Sequence, residues 1–346
     1  MELGIGMFGD LSFDAATGKP REAKVKLQEI LEQIKLADEV GLDVFGLGEH
    51  HRPDYAVSSP EIVLAAASAI TKNIKLMSTV TVLSSAEPVK VYQDFATIDL
   101  ISNGRAEIGV GRGSFIESFP LFGYNLSDYD QLFEEKLDLL LNINNNEVVN
   151  WQGKLRAPLR EQRVLPRATN EGTLPIWIAV GGTPSSVARA AKLGLPLVVA
   201  IIGGMPRQFQ PLIEYYKSEY IRHGHDLDKM QIGIHSHAFV SDSEANIERY
   251  YHNYAAQMDR VGASRGWAPY AKEQYDGGRS REGALFMGEA AAVVDKILYM
   301  HELFGITRFI GHMDVGDPSH AEMMKSIEIF GNKIAPEVRK ALQQGQ

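Results

Sequence analysis

Short apolar runs alternate along the chain with longer stretches in which apolar residues recur every three or four positions. Residues 3–8 form the first run, and Leu27, Ile30 and Ile34 then follow at helical spacing until Gly41. The runs that we predict as strands are residues 3–8, 41–51, 74–83, 106–110, 176–180, 197–202, 232–240 and 308–311. Helix-like stretches separate them, so the pattern predicts about eight strands, each followed by a helix.

This rhythm favours an α/β fold, a single (β/α)8 TIM-type barrel that spans residues 1–346. A doubly wound open sheet is the alternative. The glycine-rich fingerprint expected after the first strand of such a sheet is missing, because Gly9, Asp10 and Leu11 stand there instead. The barrel is therefore the preferred architecture.

Two segments interrupt the alternation, residues 142–174 after the fourth strand and residues 262–283 after the seventh. We predict that both are insertions at the mouth of the barrel and serve as lids, since loops at this face set specificity. Gly277 and Gly278 are candidate hinges in the second insertion, although a plain surface loop explains them equally well.

Composition and charge exclude several classes of function. The chain has 35 basic and 44 acidic residues and a net charge of -9, which argues against a nucleic-acid partner. No apolar run is long enough for a bilayer, and the amino end runs directly into a strand rather than a signal peptide. Cysteine is absent, which excludes a disulfide framework and a thiolate nucleophile. These features predict a cytoplasmic protein that does not bind membranes.

Three ionisable residues, Glu49, His50 and His51, close the second predicted strand. The carboxyl ends of barrel strands carry active sites, and histidine suits proton transfer near neutral pH. Metal binding is the alternative for this cluster, but adjacent strand residues point to opposite faces and rarely chelate together. His235 and His237 share one face of a strand and make the better metal pair. We favour a packed or barrel-lining role for both.

The best candidate for an anion site is the turn Gly181-Gly182-Thr183-Pro184-Ser185-Ser186, which joins the fifth predicted strand to a helix. Free N–H groups at a helix start bind phosphate, and Pro184 suits the first helical turn. Arg112, between two glycines after the fourth strand, could supply a bidentate phosphate contact. An ordinary tight turn and a rim ion pair are the corresponding structural alternatives.

Several blocks of the sequence are shared with one family. They are GLDVFGLGEHH at residues 41–51, residues 74–115 with Asn103-Gly104-Arg105 and Gly111-Arg112-Gly113, IWIAVGGTPSSVARAAKLGLP at residues 176–196, and residues 305–330. Together they cover nearly the whole chain in order. The sequence resembles the bacterial-luciferase-like flavin monooxygenases.

The resemblance implies a barrel that holds FMN at the carboxyl ends of its strands. His50 matches the catalytic histidine of the family, and Glu49 matches its neighbouring pocket carboxylate. The bond between Thr79 and Val80 falls where relatives carry a non-proline cis peptide under the flavin ring. The remaining cofactor-binding residues that we assign are Arg112, Gly181, Gly182, Thr183, Ser185, Ser186 and Gly203.

The resemblance also implies a reaction. Reduced FMN, supplied by a separate flavin reductase, would react with O2 to give a C4a-peroxyflavin that oxygenates a small organic substrate, in a homodimeric enzyme. Hydride transfer with deazaflavin F420 is the alternative on the same barrel. A non-catalytic flavin-binding protein is a third hypothesis, against which the presence of both Glu49 and His50 argues.

Two further activities are disfavoured by single positions. Light-emitting relatives can carry a reactive cysteine where this chain has Gly111, so nothing indicates bioluminescence. A metal-dependent barrel hydrolase would place paired histidines at the end of the first strand, where this chain has Met7 and Phe8. We therefore predict no metal site.

Overall fold

The computed structural model describes residues 1–113 and 115–344 and shows a closed parallel barrel. Each strand pairs with its predecessor in the chain, and the eighth also pairs with the first. The (β/α)8 prediction is confirmed. The barrel strands are β1 Glu2–Met7, β2 Val44–Leu47, β3 Lys75–Ser78, β4 Ala106–Gly111, β5 Ile176–Val180, β6 Leu197–Ala200, β7 Ile232–Val240 and β8 Arg308–His312.

Helices connect the strands and cover the barrel. Several begin with proline in the first turn, where its missing N–H leaves no helical bond unmade. The longer helices are Ala23–Glu39, Pro60–Ser68, Pro88–Ser102, Tyr129–Asn145, Pro184–Lys192, Gln210–Arg222, Glu244–Ala263, Ala290–Phe304, His320–Ile329 and Ala335–Gln344, and the shorter ones are Ser118–Phe122 and Lys272–Arg279. None of the helices in the described ranges combines the length and apolar character needed to cross a bilayer.

Two strand predictions are wrong at their carboxyl ends. The second strand stops at Leu47, so Glu49, His50 and His51 follow in a loop. The rule that adjacent strand residues point to opposite faces therefore does not apply to them. The third predicted strand, residues 74–83, is divided into Lys75–Ser78 and Thr81–Val82, the latter pairing with β4.

Both predicted insertions contain regular structure that the sequence pattern did not indicate. The first holds an antiparallel hairpin of Val148–Trp151 and Leu159–Arg163. The second includes the helix Lys272–Arg279, so Gly277 and Gly278 lie inside a helix rather than in a loop. A short strand, Phe286–Gly288, follows it and pairs with β7.

The lower part of the barrel interior is filled and the upper part is open. A buried apolar cluster of Val44, Met77, Trp177, Val198 and Ile310 fills the middle. Below it, the Arg308 guanidinium lies 4.1 Å from the Trp177 ring and makes a bidentate pair with Glu107. The cavity lies above this cluster, at the carboxyl ends of the strands.

Candidate active site

A cavity of about 450 Å³ opens at the carboxyl ends of the barrel strands. Its size is that of an ordinary small-molecule site, for which volumes of roughly 300–1,000 Å³ are typical. The predicted site residues among its lining are Glu49, His50, Thr79, Val80, Arg112, Gly181, Thr183 and Ser186, and His51 joins them. Gly182, Ser185 and Gly203 are not among the lining residues, so their assignment stays a prediction.

His50 lies among three aromatic rings. Its ring centroid is 4.5 Å from that of Phe8, 4.2 Å from that of Tyr55 and 5.2 Å from that of Phe115. Burial lowers the pKa of His50 to about 3, so its imidazole is neutral near pH 7. Its Nδ1 has no hydrogen-bond partner within the described part of the chain. The geometry offers a neutral, desolvated imidazole at the cavity wall.

Glu49 is held by two neighbours. One carboxylate oxygen lies 2.8 Å from His51 Nε2, and the other accepts a hydrogen bond of 2.8 Å from the Val82 N–H. These bonds join the loop after β2 to the segment after β3. The catalytic role of Glu49 stays a prediction, and the contacts give it a positioning role.

Arg112 connects two sides of the cavity mouth. Its guanidinium donates a 3.2 Å hydrogen bond to Thr183 Oγ1 and a 2.6 Å bond to the Asp130 carboxylate, and it lies 5.4 Å from the Tyr129 ring. The end of β4 and the turn after β5 are therefore linked by a cation. The rim ion pair considered as an alternative is present, and it coexists with a contact to the predicted phosphate turn.

The turn after β5 has the shape of an anion cradle. A Cβ built on Gly181 would have no heavy atom within 4 Å, so the space beside its backbone is open to a ligand. Gly182 has a φ of +123°, which L side chains rarely adopt. The helix Pro184–Lys192 starts at this point and presents its amino end. Backbone access, a helix start and the Arg112 cation thus converge at one spot.

The Thr79–Val80 peptide bond is cis, as the resemblance implies. Both residues line the cavity, and two glycines make room for them. A Cβ on Gly46 would lie 2.5 Å from Thr79 Cγ2, and one on Gly111 would lie 2.9 Å from Val80 Cγ2. The glycines of these strand ends are therefore explained by close packing around the cavity floor.

The far end of the cavity is lined by His235, His237 and His312, beside Phe8. The barrel-lining interpretation of His235 and His237 is confirmed. Burial lowers the pKa of His235 to about 3 and holds the pKa of His237 well below its ordinary value. Both rings are therefore neutral near pH 7.

One group of potential metal ligands lies close together within residues 1–113 and 115–344: Asp10, His312 and Asp314. The Asp314 carboxylate already accepts hydrogen bonds from the Gly9 and Asp10 N–H groups and lies 3.3 Å from Lys26 Nζ. Burial, with Asp314 nearby, raises the pKa of Asp10 well above its usual value. The lysine supplies the positive charge that a metal would bring, so the group is an internal network.

Sequence reasoning missed several lining residues, among them Phe115, Tyr129 and Arg265. They follow β4 or belong to the second insertion, where no strand pattern assigns a position. The Arg265 guanidinium lies 5.1 Å from the Phe115 ring and 5.2 Å from the Trp267 ring. The sequence feature that could have identified Arg265 was its position within residues 262–283, the segment that we expected to cover the site.

Comparison with known proteins agrees with this geometry. The family model described as luciferase-like monooxygenase matches residues 1–309. The chain belongs to the luciferase-like monooxygenase family. Within that family it is 24% identical to the oxygenase component of a flavin-dependent trigonelline monooxygenase from Acinetobacter baylyi, over 89% of each chain.

Solved structures of similar fold extend over nearly the whole luciferase-like chain. A monooxygenase from Streptomyces bottropensis has a TM-score of 0.84 at 22% identity and covers 97% of this chain and 99% of its own. The oxygenating constituent of 3,6-diketocamphane monooxygenase from Pseudomonas putida, in complex with FMN, has a TM-score of 0.74 at 20% identity over 98% of each. An F420-dependent secondary alcohol dehydrogenase has a TM-score of 0.75 at 17% identity and covers 98% and 100%. These likenesses establish the fold.

Proposed function

We propose that this protein is an FMN-dependent monooxygenase that uses O2 and reduced FMN to oxygenate a small organic substrate. The observation that carries the proposal is the pairing of two features in one cavity. Arg112 and the glycine turn at Gly181 form an anion cradle at its mouth, and the neutral His50 lies in its aromatic wall. The phosphate of FMN and its reactive flavin ring would thus be held by different parts of the same cavity.

The residues present fit FMN. Arg112, Thr183 and the backbone at Gly181 would hold the phosphate, because cation and helix start meet there. The Thr79–Val80 segment would lie under the flavin ring, as the resemblance implies. Bound reduced FMN would supply the electrons for reaction with O2.

The contribution of the chain itself is desolvation and proton handling. Phe8, Tyr55 and Phe115 surround His50 and cover part of its ring, which limits the contact of the ring with water. A neutral imidazole with a pKa of about 3 is a weak base. It would therefore accept a proton only while the reaction places a negative charge beside it. His50 would return that proton to the product at the same ring nitrogen.

We further propose that a separate flavin reductase supplies the reduced FMN. The Acinetobacter baylyi relative is by name the oxygenase component of its system.

The proposal is tested by mixing the protein, loaded with FMN and reduced anaerobically, with O2 in a stopped-flow instrument. We expect bound reduced FMN to reoxidise in a phase slower than free reduced FMN, with delayed release of hydrogen peroxide. A His50→Gln variant that still binds FMN should change this phase about tenfold or more. Reoxidation at the free rate, with immediate release of peroxide, would contradict the assignment.

Protein freed of bound flavin separates FMN from F420. Difference absorbance spectra recorded during titration with each cofactor give the two dissociation constants. We expect FMN to bind more tightly. Tighter binding of F420, together with its reduction by an alcohol, would support the hydride-transfer alternative.

A further inference from the structure

Three histidines form one end of the cavity, which we call the histidine end: His235 and His237 on β7 and His312 on β8. Their ring centroids lie 5.3 Å apart for His235 and His312, and 5.4 Å apart for His237 and His312. Each ring is 7% exposed or less, yet all three line the cavity. Three imidazoles are thus gathered where barrel interiors normally place branched apolar side chains.

Neighbouring residues shape the space for these rings. Gly6 faces His235, and a Cβ at this position would lie 3.1 Å from His235 Nε2. The Phe8 ring lies 4.0 Å from the His312 ring and 5.8 Å from the His235 ring, so it forms an apolar wall beside them. The histidine end therefore combines polar ring atoms with an aromatic surface.

Two ring nitrogens of these histidines have polar neighbours, and two buried ones have none among the described residues. His237 Nδ1 lies 2.9 Å from the Tyr254 hydroxyl, and His312 Nε2 lies 3.3 Å from an Asp314 oxygen. His235 Nε2 and His312 Nδ1 have no partner among the described residues. Buried polar groups in native proteins are normally paired, and exceptions call for a ligand or another explanation.

The charges around the histidine end disfavour an anion. Burial keeps His235 and His237 neutral, because it lowers the pKa of both. The ionised neighbour is Asp314, which is negative and lies 3.3 Å from His312, whereas Lys26 pairs with Asp314 and Asp317 and is not among the lining residues of the cavity. A carboxylate placed beside these rings would be desolvated next to a negative charge.

We propose that the histidine end binds an uncharged oxygen function of the organic substrate, a hydroxyl or a carbonyl, and rejects a carboxylate. This inference rests on the proposed function and deepens it. His237 is the contact that we assign first, because the Tyr254 hydroxyl fixes one side of its ring and leaves the other ring nitrogen for a ligand. Neutral imidazole offers one donor and one acceptor, which matches both functional groups.

The test uses calorimetric titration of the full-length protein, loaded with oxidised FMN, with four probes of similar size: phenol, benzaldehyde, toluene and benzoate. We expect phenol or benzaldehyde to bind about tenfold more tightly than toluene and benzoate, since one net hydrogen bond corresponds to about a factor of ten. Benzoate binding as tightly as the uncharged probes would overturn the proposal, and would point to the arginines of the cavity instead.

Variants of His237 test whether the preference for phenol or benzaldehyde arises at the histidine end of the cavity. His237→Phe should remove the preference over toluene, and His237→Gln should retain most of it because an amide keeps a donor and an acceptor. Tyr254→Phe, which removes the hydroxyl bound to His237, should weaken the preference about threefold or more. An unchanged preference in His237→Phe and Tyr254→Phe would overturn the assignment.

Flavin affinity separates this inference from the proposed function. The FMN dissociation constant, measured by quenching of flavin fluorescence, should be unchanged in His237→Gln. A loss of FMN binding in that variant would show that the histidines serve the flavin, which would overturn the proposal. If the probe preference is present but reduced FMN reacts with O2 as it does in free solution, the monooxygenase assignment fails while the binding preference stands.

Discussion

The carboxylate of Glu49 accepts a hydrogen bond of 2.8 Å from the backbone N–H of Val82. Its other oxygen lies 2.8 Å from His51 Nε2. The bond to Val82 ties the loop that carries His50 to the segment after β3, two residues beyond the Thr79–Val80 peptide bond. A pocket carboxylate that looks catalytic in the sequence thus also fixes the shape of the cavity wall.

Replacing Glu49 should therefore lower stability as well as activity. Glu49→Ala leaves the Val82 N–H without its acceptor, and we expect the free energy of unfolding to fall by about 1–3 kcal/mol. Glu49→Gln keeps an acceptor oxygen and should lose less. Urea denaturation of both variants measures the difference. Equal stability of Glu49→Ala and the wild type would remove the positioning role.

Arg112→Ala should weaken FMN binding through the phosphate alone. A charge-assisted contact is worth about 1.5–3 kcal/mol, so we expect about a 10- to 100-fold increase in the dissociation constant of FMN. Riboflavin, which lacks the phosphate, should bind equally well to both proteins. Arg222→Ala, which removes an exposed arginine paired with Glu219, is the matched control. Equal losses for FMN and riboflavin would place the effect elsewhere in the cavity.

The buried histidines should make the fold sensitive to mild acid. Folded His50 and His235 have pKa values of about 3, and the pKa of His237 is also well below its ordinary value, against about 6.5 in an unfolded chain. Because the unfolded state binds more protons below pH 6.5, this stability is present above that pH and is lost as the pH falls.

The expected size of this effect follows from His50 and His235, whose folded pKa values are both about 3. Each contributes about 1.4 kcal/mol between pH 7.5 and 5.5, so the two together should lower the free energy of unfolding by about 3 kcal/mol, and His237 acts in the same direction. Urea denaturation at both pH values measures the change, and His235→Phe should remove about 1.4 kcal/mol of it. An unchanged slope in His235→Phe would contradict the lowered pKa of that ring.

The sequence predicted the alternation of strands and helices well because burial on both faces imposes long apolar runs. The bounds of β5 and β7 agree with the predicted 176–180 and 232–240. The end of β2 was predicted too late, at residue 51 rather than Leu47. A loop that is covered by other elements resembles a buried strand in its pattern of apolar residues. The pattern therefore could not show where strand pairing ends.

The sequence predicted individual residues of the candidate site but not which of them contact one another. His50, Arg112 and Thr183 were singled out from the sequence pattern and matched by the resemblance, and the structure brings all three to one cavity. The bond from Arg112 to Thr183 joins residues 71 positions apart, and the closeness of His312 to His235 comes from pairing of β7 with β8. Such proximity depends on barrel closure, which no local pattern encodes.

Lys26 should be among the most sensitive positions outside the cavity. Its ammonium is 1% exposed and lies 3.3 Å from an Asp314 oxygen and 3.2 Å from an Asp317 oxygen. Lys26→Met removes the buried cation from Asp314, while Asp317 keeps its pair with Arg21, and we expect a loss of about 3–5 kcal/mol in the free energy of unfolding. Lys35→Met, on the same helix in an exposed pair with Glu39, should change stability by less than about 0.5 kcal/mol. Similar effects of the two substitutions would contradict the buried network.

Gly46 and Gly203 give opposite predictions for the same change. A Cβ on Gly46 would lie 2.5 Å from Thr79 Cγ2 and 2.7 Å from Thr79 Oγ1, so Gly46→Ala must displace Thr79 from the cavity floor. A Cβ on Gly203 would meet no heavy atom within 4 Å. Overpacking of this kind costs about 1–3 kcal/mol, so Gly46→Ala should lower stability and weaken FMN binding.

Gly203→Ala tests the assignment of Gly203 as a cofactor-binding residue with the fold left intact. We expect its free energy of unfolding in urea to stay within about 0.5 kcal/mol of the wild type, because a methyl group fits in open space. Close approach of the flavin to the Gly203 backbone would then appear as weaker FMN binding in a fully stable protein. Unchanged FMN affinity would remove Gly203 from the site, and it would leave the phosphate cradle to Arg112 and the turn at Gly181.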